Sequence, residues 1–263
     1  MAEACVLCES SAGVRWRQDG WVQCAACRTL LREPMPSERE LAALYERSWQ
    51  TPGDCRSETG GTDERLARLY GRRLCQSLGR DDLAGLAVLD FGAGRGEMLE
   101  ALTELGAQVT AVEPFGWRLL REHGYQAYEK VEDLPGDLRV DGVVSMDVIE
   151  HMLSPWRELA LLGGHLKPGG WMCLCTPNGQ SLRARLGRSR WGECQRAGHL
   201  MLFGPRGMQR LLERAGFSRH QRLRWYIPYS ANAVRNVGHW ALHALGVDGE
   251  LRYMAWRGDS CVY

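Results

Sequence analysis

The chain has 263 residues, of which 44% are hydrophobic and 25% are charged, and its formal net charge is +1. This is the composition of a globular protein with one substantial core. The near-neutral charge excludes a protein that coats nucleic acid over its whole surface, and no apolar run of about twenty residues is present to span a membrane. Residues 1–10 lack a signal-peptide pattern, so we expect a cytoplasmic protein with reduced cysteines.

Two Cys-x-x-Cys pairs lie near the N-terminus. They are Cys5 with Cys8 and Cys24 with Cys27, and fifteen residues separate them. Two such turns supply a tetrahedral shell of four thiolates, which leaves no open position for catalysis. A segment this short has almost no core of its own, so a metal would supply its folding energy. The spacing predicts a structural zinc ribbon over residues 1–33; four unligated cysteines or a redox pair are the alternatives.

Two helices are predicted between residues 34 and 80, as a linker or lid. The first covers Ser37–Ser48, with Ser37 and Glu40 in the pattern of an N-terminal capping box. The second covers Asp63–Leu78 and carries a periodic apolar face. A loop rich in glycine, proline and polar residues separates them.

Strands and helices alternate through the remaining domain, residues 81–263. Predicted strands are Leu86–Phe91, Gln108–Glu113, Tyr125–Tyr128, Asp141–Met146, Trp171–Thr176 and a last antiparallel one near Asp259–Tyr263; predicted helices are Glu97–Leu105, Trp117–His123, His151–Leu166 and Asn232–Leu245. The alternation indicates an α/β fold with a doubly wound parallel sheet, whose ligands bind at the carboxyl ends of the strands.

The first of these strands ends in a glycine-rich loop. Gly92, Gly94 and Gly96 follow Asp90 with a spacing that differs from that of dinucleotide sites. A carboxylate at this position suits a cationic amine better than a pyrophosphate. S-adenosylmethionine carries an ammonium and a sulfonium, so the loop favours this cofactor. Glu113 ends the second strand, where a carboxylate can accept both ribose hydroxyls.

Six segments together resemble the class I S-adenosylmethionine-dependent methyltransferases, in the branch of the ubiquinone-biosynthesis O-methyltransferases and of sugar and polyketide tailoring enzymes. They are Val88–Gly96, Ala111–Pro114, Asp147–His151, Leu166–Gly170, Thr176–Asn178 and His199–Phe203. The resemblance implies a Rossmann-like, seven-stranded sheet. The zinc ribbon departs from the ubiquinone enzymes, so their substrate is not carried over.

By this resemblance, eight residues would bind the cofactor. They are Asp90, Gly92, Gly94, Gly96, Glu113, Asp133, Met146 and Asp147. The glycines would contact the methionine portion, Glu113 the ribose and Asp133 the edge of the adenine. The alternatives are a solvated strand end for Glu113 and an ordinary acidic loop residue for Asp133.

Two histidines are candidate catalytic bases. His151 follows the fourth strand and His199 follows a variable insert, and an imidazole suits a base at neutral pH. Alternatively, His151 caps or packs against its helix. If the turn is helical, Asp147 and Glu150 share a face with His151, and two carboxylates with one imidazole suit a divalent cation.

The insert, residues 179–203, is expected to cover the methyl acceptor. It carries Trp191 and five arginines, which could stack on a ring and grip an anion; a solvated basic helix is the alternative. The sequence therefore predicts O- or N-methylation of a small acceptor, anionic if the arginines grip it, such as a sugar or a nucleotide- or carrier-linked metabolite. The alternatives are an RNA or protein methyltransferase docked through the ribbon, whose few arginines make a modest footprint, and a non-catalytic cofactor-binding scaffold.

Overall fold

The computed structural model describes residues 4–50, 63–228 and 233–257. Its strands are β1 (Val14–Gln18), β2 (Trp21–Cys24), β3 (Leu30–Arg32), β4 (Ala87–Phe91), β5 (Gln108–Val112), β6 (Gln126–Tyr128), β7 (Val140–Met146), β8 (Leu166–Pro177), β9 (Met201–Leu202), β10 (Arg219–Arg222) and β11 (Glu250–Trp256). Its helices are α1 (Glu38–Gln50), α2 (Glu64–Leu78), α3 (Glu97–Glu104), α4 (Trp117–Glu122), α5 (Pro155–Gly164), α6 (Leu182–Gly187), α7 (Gly192–Gln195), α8 (Pro205–Arg214) and α9 (Ala233–Ala244).

The larger sheet has seven strands in the order β10-β11-β8-β7-β4-β5-β6. Strands β6, β5, β4, β7 and β8 run parallel, whereas β11 is antiparallel to both β8 and β10. Strand order reverses between β4 and β7, which places a ligand crevice at the carboxyl ends of these two strands. The predicted Rossmann-like, seven-stranded α/β fold is confirmed.

The central strands are buried on both faces because helices cover the sheet from two sides. Residues of β4 and β7 contribute to two core clusters: Leu89 and Val143 to one, Val88 and Val144 to the other. This is why the strands read as continuous apolar runs in the sequence.

The smaller sheet joins the N-terminal cysteine segment to the insert at residues 179–203. Its order is β1-β2-β3-β9, so a strand of the insert extends the hairpin that carries the cysteines. Leu30 pairs with Leu202 and Leu31 with Met201, antiparallel. The segment predicted as a zinc ribbon therefore shares a sheet with the insert that is predicted to cover the acceptor.

One predicted helix boundary differs from the structure by four residues. The helix predicted from His151 begins at Pro155, and a short 3-10 turn covers Ile149–His151. Proline at the first helical turn fixes this start, because it needs no N–H there. The predicted helix at 232–245 corresponds to α9. The strand predicted near Asp259–Tyr263 lies outside the described residues, and the antiparallel strand at the end of the described chain is β11.

Among the described residues, no helix is both long and apolar enough to span a bilayer.

Candidate cofactor and acceptor sites

The glycine loop turns sharply out of β4. Gly92 has φ +78°, and a Cβ there would approach Val148 Cγ2 to 2.3 Å. Gly96, at the start of α3, has φ +101°. A Cβ on Gly94 (φ +57°) would meet no atom within 4 Å. A side chain at position 92 is thus excluded both by contact with Val148 and by the positive φ angle, whereas Gly94 borders open space in which a ligand could lie.

Asp90 lies under this loop with 2% of its surface exposed. In the described ranges, its Oδ2 atom has no hydrogen-bond partner. Burial, followed by the nearby carboxylates of Glu113 and Glu97, raises the pKa of Asp90 to about 8. A buried acid left without a partner is costly unless a donor or a cation meets it. The site therefore suits an ammonium group.

Glu113 comes directly after β5 and faces the same loop. Its Oε2 accepts the backbone N–H of Gly94 at 2.9 Å, and its Oε1 accepts that of Phe115 at 3.1 Å. Burial raises its pKa, while these N–H donors act in the opposite direction. The hydrogen bonds hold the carboxylate beside the glycine loop.

The other three predicted cofactor residues are placed as follows. Asp133 is exposed and closes a short 3-10 turn, where its Oδ2 accepts the Lys130 N–H at 3.1 Å. Met146 is buried at the end of β7. Asp147 follows it with φ +55°, and its N–H donates to Cys175 O. This capping bond gives Asp133 a structural role; contact with adenine stays a prediction.

Helix α1 lies against the cofactor side, which the sequence did not reveal. The ring of Tyr45 stacks on Phe115, with centroids 5.4 Å apart. The guanidinium carbon of Arg95, in the glycine loop, lies 5.1 Å from the Trp49 ring centroid. A Cβ on Gly116 would come within 2.5 Å of Trp49. Aromatic side chains make these contacts, and no recognisable local motif marks them; the lid stays a prediction.

A second group of polar side chains converges behind the end of β7. One ligand atom each from Glu150, His151 and His199 lies within 4.8 Å of the other two. The two imidazole rings have centroids 4.6 Å apart. In the part of the chain that the structure describes, Glu150 Oε1, His151 Nε2 and His199 Nδ1 are buried and have no hydrogen-bond partner. Such convergence is expected where a cation or a substrate belongs.

Hydrogen bonds elsewhere on Glu150 and His151 hold these side chains in place. Glu150 Oε2 accepts the Thr176 hydroxyl at 2.8 Å. His151 Nδ1 lies 2.6 Å from the Tyr45 hydroxyl and 3.0 Å from Gly198 O. Tyr45 is a further residue that the sequence did not single out.

Burial dominates the electrostatics of this group. It lowers the pKa of His151 to about 4 and that of His199 to about 2, and it raises the pKa of Glu150 to about 8. Each shift favours the uncharged form, because charge is poorly solvated in the interior. Both imidazoles are therefore neutral near pH 7, as a metal ligand or a proton acceptor must be.

The convergent group differs from the predicted cation site. Asp147 has a left-handed backbone and lies outside the 3-10 turn of Ile149–His151. The helical face that would align Asp147 with Glu150 and His151 is not formed. His199, which the sequence marked only as a second base, completes the group instead.

A cavity of about 410 Å³ opens beside this group. Its aromatic lining residues are Tyr70, Trp191, Trp225 and Tyr226. Its lining carboxylates are Asp147, Glu150, Glu193, Asp248 and Glu250, and its lining arginines are Arg183, Arg196 and Arg252. The acidic side chains outnumber the arginines, and aromatic rings supply much of the wall.

Most of these charges are paired. Arg196 bonds Glu193 at 3.0 Å. Arg252 bonds Glu250 and also lies 3.7 Å from Asp248. The insert contributes Arg183 and Arg196 to the lining; its other arginines, Arg185, Arg188 and Arg190, are exposed and lie outside it. The arginine density of the sequence is therefore mostly a property of the outer surface.

The four N-terminal cysteines form a compact cluster. All four Sγ atoms lie within 4.8 Å of one another, with Cys5–Cys27 at 3.9 Å and Cys8–Cys24 at 3.7 Å. A tetrahedron with metal–sulfur bonds of about 2.3 Å has sulfur–sulfur edges of about 3.8 Å. The donor set and its spacing fit a structural zinc ion.

A family model and a curated relative both show that this chain is similar to methyltransferases. A family model described as "Methyltransferase domain" matches residues 62–221. A ubiquinone biosynthesis O-methyltransferase of Xanthomonas oryzae pv. oryzae is 34% identical over 150 residues, which cover 53% of this chain and 59% of that protein. The match thus spans little more than half the length of this curated relative.

Solved structures share the fold. A methyltransferase from Archaeoglobus fulgidus superposes with a TM-score of 0.54 at 20% identity, covering 82% of this chain and 99% of that one. The 1,6-didemethyltoxoflavin-N1-methyltransferase of Burkholderia thailandensis, solved with its acceptor and S-adenosylhomocysteine, gives 0.55 at 19% identity, covering 90% and 99%.

Proposed function

Because the chain belongs to the methyltransferase domain family, we propose that it transfers the methyl group of S-adenosylmethionine to a hydroxyl of a small, ring-containing acceptor. The observation that carries the proposal is the convergence of Glu150, His151 and His199 beside a cavity of about 410 Å³, each with a buried atom that has no hydrogen-bond partner among the described residues. A hydroxyl is a weak nucleophile that needs a base or a cation, whereas an amine does not. The group supplies the means for either.

The cofactor would bind at the other end of the same crevice. Asp90 would offer a buried carboxylate to the ammonium of the methionine portion. Gly94 has no side chain, so the methionine portion could approach the backbone of the loop closely. Glu113 would accept the ribose hydroxyls. The hydrogen bonds that it receives from Gly94 and Phe115 hold it in position.

Glu150, His151 and His199 fit a divalent cation. Three protein ligands leave open positions for an acceptor oxygen, which is the arrangement of catalytic rather than structural sites. Gly198 O lies 3.0 Å from His151 Nδ1, and an Nδ1 proton donated to this carbonyl would leave Nε2 as the ligand atom. When bound, such a cation lowers the pKa of a hydroxyl. Without one, neutral His199, which lines the cavity, would accept the proton of the hydroxyl.

The cavity walls support a neutral acceptor rather than an anionic one. Arg196 and Arg252 are engaged by carboxylates of the same lining. Trp191 and Trp225 provide surfaces on which a ring can stack. A polyhydroxylated ring such as a sugar, or a phenol, matches this lining. Holding it in line with the sulfonium supplies a large part of the rate.

We propose that the cysteine cluster holds a structural zinc ion. Four thiolates saturate its coordination, so it takes no part in the methyl transfer. An RNA or protein methyltransferase with the ribbon as docking module is less well supported, because Trp21 and Leu30 of the ribbon pack against Trp191 and Leu202 of the insert. That face is used within the chain.

The test is a methyl-transfer screen with zinc-loaded protein and S-adenosylmethionine labelled in its methyl group. The panel would contain phenols, sugars, their phosphorylated and aminated analogues, bulk RNA and bulk protein, each with and without Mn²⁺. We expect label on neutral hydroxylated rings. Label confined to RNA or protein would overturn the proposal. The His151→Ala and His199→Ala variants should lose transfer to hydroxyls more than transfer to amines, and variants that methylate both kinds of acceptor equally well would also overturn it.

A further inference from the structure

Arg32 lies at the end of β3, between the cysteine cluster and the acceptor cavity. Its Nε donates to His199 O at 2.9 Å, and its Nη2 donates to Arg196 O at 2.8 Å and lies 3.4 Å from Cys194 O. The guanidinium also sits over the Trp21 ring, 4.8 Å from its centroid. The planar guanidinium presents its N–H donors in a fixed fork, so it can hold several carbonyls in one defined arrangement, whereas the ammonium of a lysine is a point charge on a flexible stem.

Trp21 of β2 reinforces this contact. Its Nε1 donates to Cys194 O at 3.0 Å, and it is 1% exposed. Arg32 and Trp21 together hold three main-chain carbonyls of the six-residue segment 194–199. The side chain of the last residue in that segment, His199, belongs to the convergent group.

The backbone beside His199 is held from both sides. Arg32 N donates to Leu200 O at 2.9 Å, which continues the pairing of β3 with β9. Leu200 N donates to Glu150 O at 2.8 Å. The residue after His199 therefore connects the ribbon to the turn that carries Glu150 and His151.

The cysteine cluster directly precedes β3 in the chain and packs beside it. Cys24 ends β2, and its N–H donates to Thr29 O at 3.0 Å, just before β3 begins. Cys24 and Cys27 are 2% and 3% exposed and pack in the main core cluster with Leu31. Since a segment this small folds with its metal, loading of the cluster and the position of Arg32 are linked.

We infer that Arg32 is a positioning residue through which the four-cysteine ribbon fixes His199 against Glu150 and His151. The ribbon is thus an internal support of the acceptor site rather than an appendage for partners. This inference rests on the proposed function in one respect only, the use of the convergent group in catalysis. The position of His199 can be measured without any turnover.

The experiment compares Arg32→Met with Arg17→Met in zinc-loaded, full-length protein. Arg17 is an exposed arginine of the same ribbon, paired with Glu33, and serves as the matched control. Three quantities are measured: the visible absorption of added Co²⁺, the affinity for S-adenosylhomocysteine by calorimetry, and the ring resonances of His199 by NMR. Trp21→Phe, which keeps a ring but loses the N–H donor, is the milder second variant if Arg32→Met is unstable.

In Arg32→Met we expect about a tenfold weaker Co²⁺ affinity, as is typical when an outer-shell contact is removed. The His199 resonances should shift and the affinity for S-adenosylhomocysteine should stay as in the wild type. Trp21→Phe should change in the same direction by less, and Arg17→Met should not change.

Two outcomes separate the inference from the function on which it builds. Wild-type Co²⁺ affinity and unmoved His199 resonances in both Arg32→Met and Trp21→Phe overturn the inference and leave the proposed function standing. Absence of Co²⁺ binding in the wild type removes the proposed cation instead. In that case the His199 resonances alone decide whether Arg32 positions the ring.

Discussion

The cofactor side and the acceptor side of the crevice are built in different ways. On the cofactor side, Asp90 and Glu113 lie at the ends of neighbouring parallel strands, within one β-α-β unit. On the acceptor side, the group formed by Glu150, His151 and His199 needs the turn after β7, the insert and helix α1 to meet. Both sides present buried polar atoms without partners among the described residues. The cofactor side depends on local chain geometry, and the acceptor side depends on packing between distant segments. Substitutions far from the acceptor side should therefore affect it more than they affect the cofactor side.

Loss of the cysteine cluster should have the largest effect, because it removes a support of the acceptor side. In Cys24→Ser we expect zinc content well below one ion per chain. We also expect a melting temperature lower by about 10 °C or more, since structural zinc contributes several kcal/mol and each kcal/mol shifts a chain of this size by about 2–4 °C. Metal analysis and calorimetric melting measure both.

Cys75→Ala is the matched control, since Cys75 is a buried thiol in a different core cluster. It should keep its zinc. Equal zinc content and equal melting temperatures in the two variants would mean that the cluster holds no structural metal.

Replacement of His199 by alanine tests whether the acceptor side does chemistry. Turnover should fall about 10²- to 10⁴-fold, the usual contribution of a positioned acid or base, while the affinity for S-adenosylhomocysteine should stay within about twofold because the cofactor side is not touched. Steady-state kinetics with an acceptor from the screen and calorimetry measure the two effects.

His123→Ala, at the exposed end of α4, is the control and should behave as the wild type. Unchanged turnover in both His151→Ala and His199→Ala would remove the catalytic role of the convergent group.

The same difference explains what the sequence could predict. Asp90, the glycines and Glu113 are separated by few residues and by regular elements, so their meeting follows from strand geometry alone. The spacing of the cysteines is equally local. His199 lies 48 residues beyond His151, and neither Tyr45 nor Arg32 belongs to a recognisable motif. Their roles depend on how α1 and β3 pack, which no periodicity encodes. The alternative role of Asp147 as a cation ligand required a helical turn after β7, and the structure has no helical conformation at that residue.

Asp90→Asn tests the cofactor side. We expect about a 10- to 100-fold weaker affinity for S-adenosylmethionine, the range for a lost charged hydrogen bond. Stability should change in the opposite direction. The pKa of Asp90 is raised to about 8, so the contribution of Asp90 to the stability of the wild type is greatest below about pH 4 and falls as the pH rises towards 8. The variant avoids this loss, and its advantage in melting temperature should grow between pH 4 and 8.

The control is Asp141→Asn. Asp141 accepts the N–H of Ala87 and pairs with Lys167, both at 2.8 Å. It should lose stability and bind the cofactor normally. If Asp90→Asn is less stable than the wild type at pH 8, the carboxylate is there for the fold rather than for a cation.

Tyr45 connects the two sides and should show the smallest effect. Its ring stacks on Phe115 of the cofactor side, and its hydroxyl meets His151 of the acceptor side. Tyr45→Phe removes only the hydroxyl, so turnover should fall about three- to tenfold, as for the loss of one hydrogen bond, and the affinity for S-adenosylhomocysteine should not change.

Tyr45→Ala removes the stacking as well, and it should weaken S-adenosylhomocysteine binding in addition. Kinetics and calorimetry on both variants separate the two contributions of one side chain. If Tyr45→Phe weakens cofactor binding as much as Tyr45→Ala does, the hydroxyl serves the cofactor. The cofactor side and the acceptor side would then form one coupled site, and His151 would not act independently of cofactor binding.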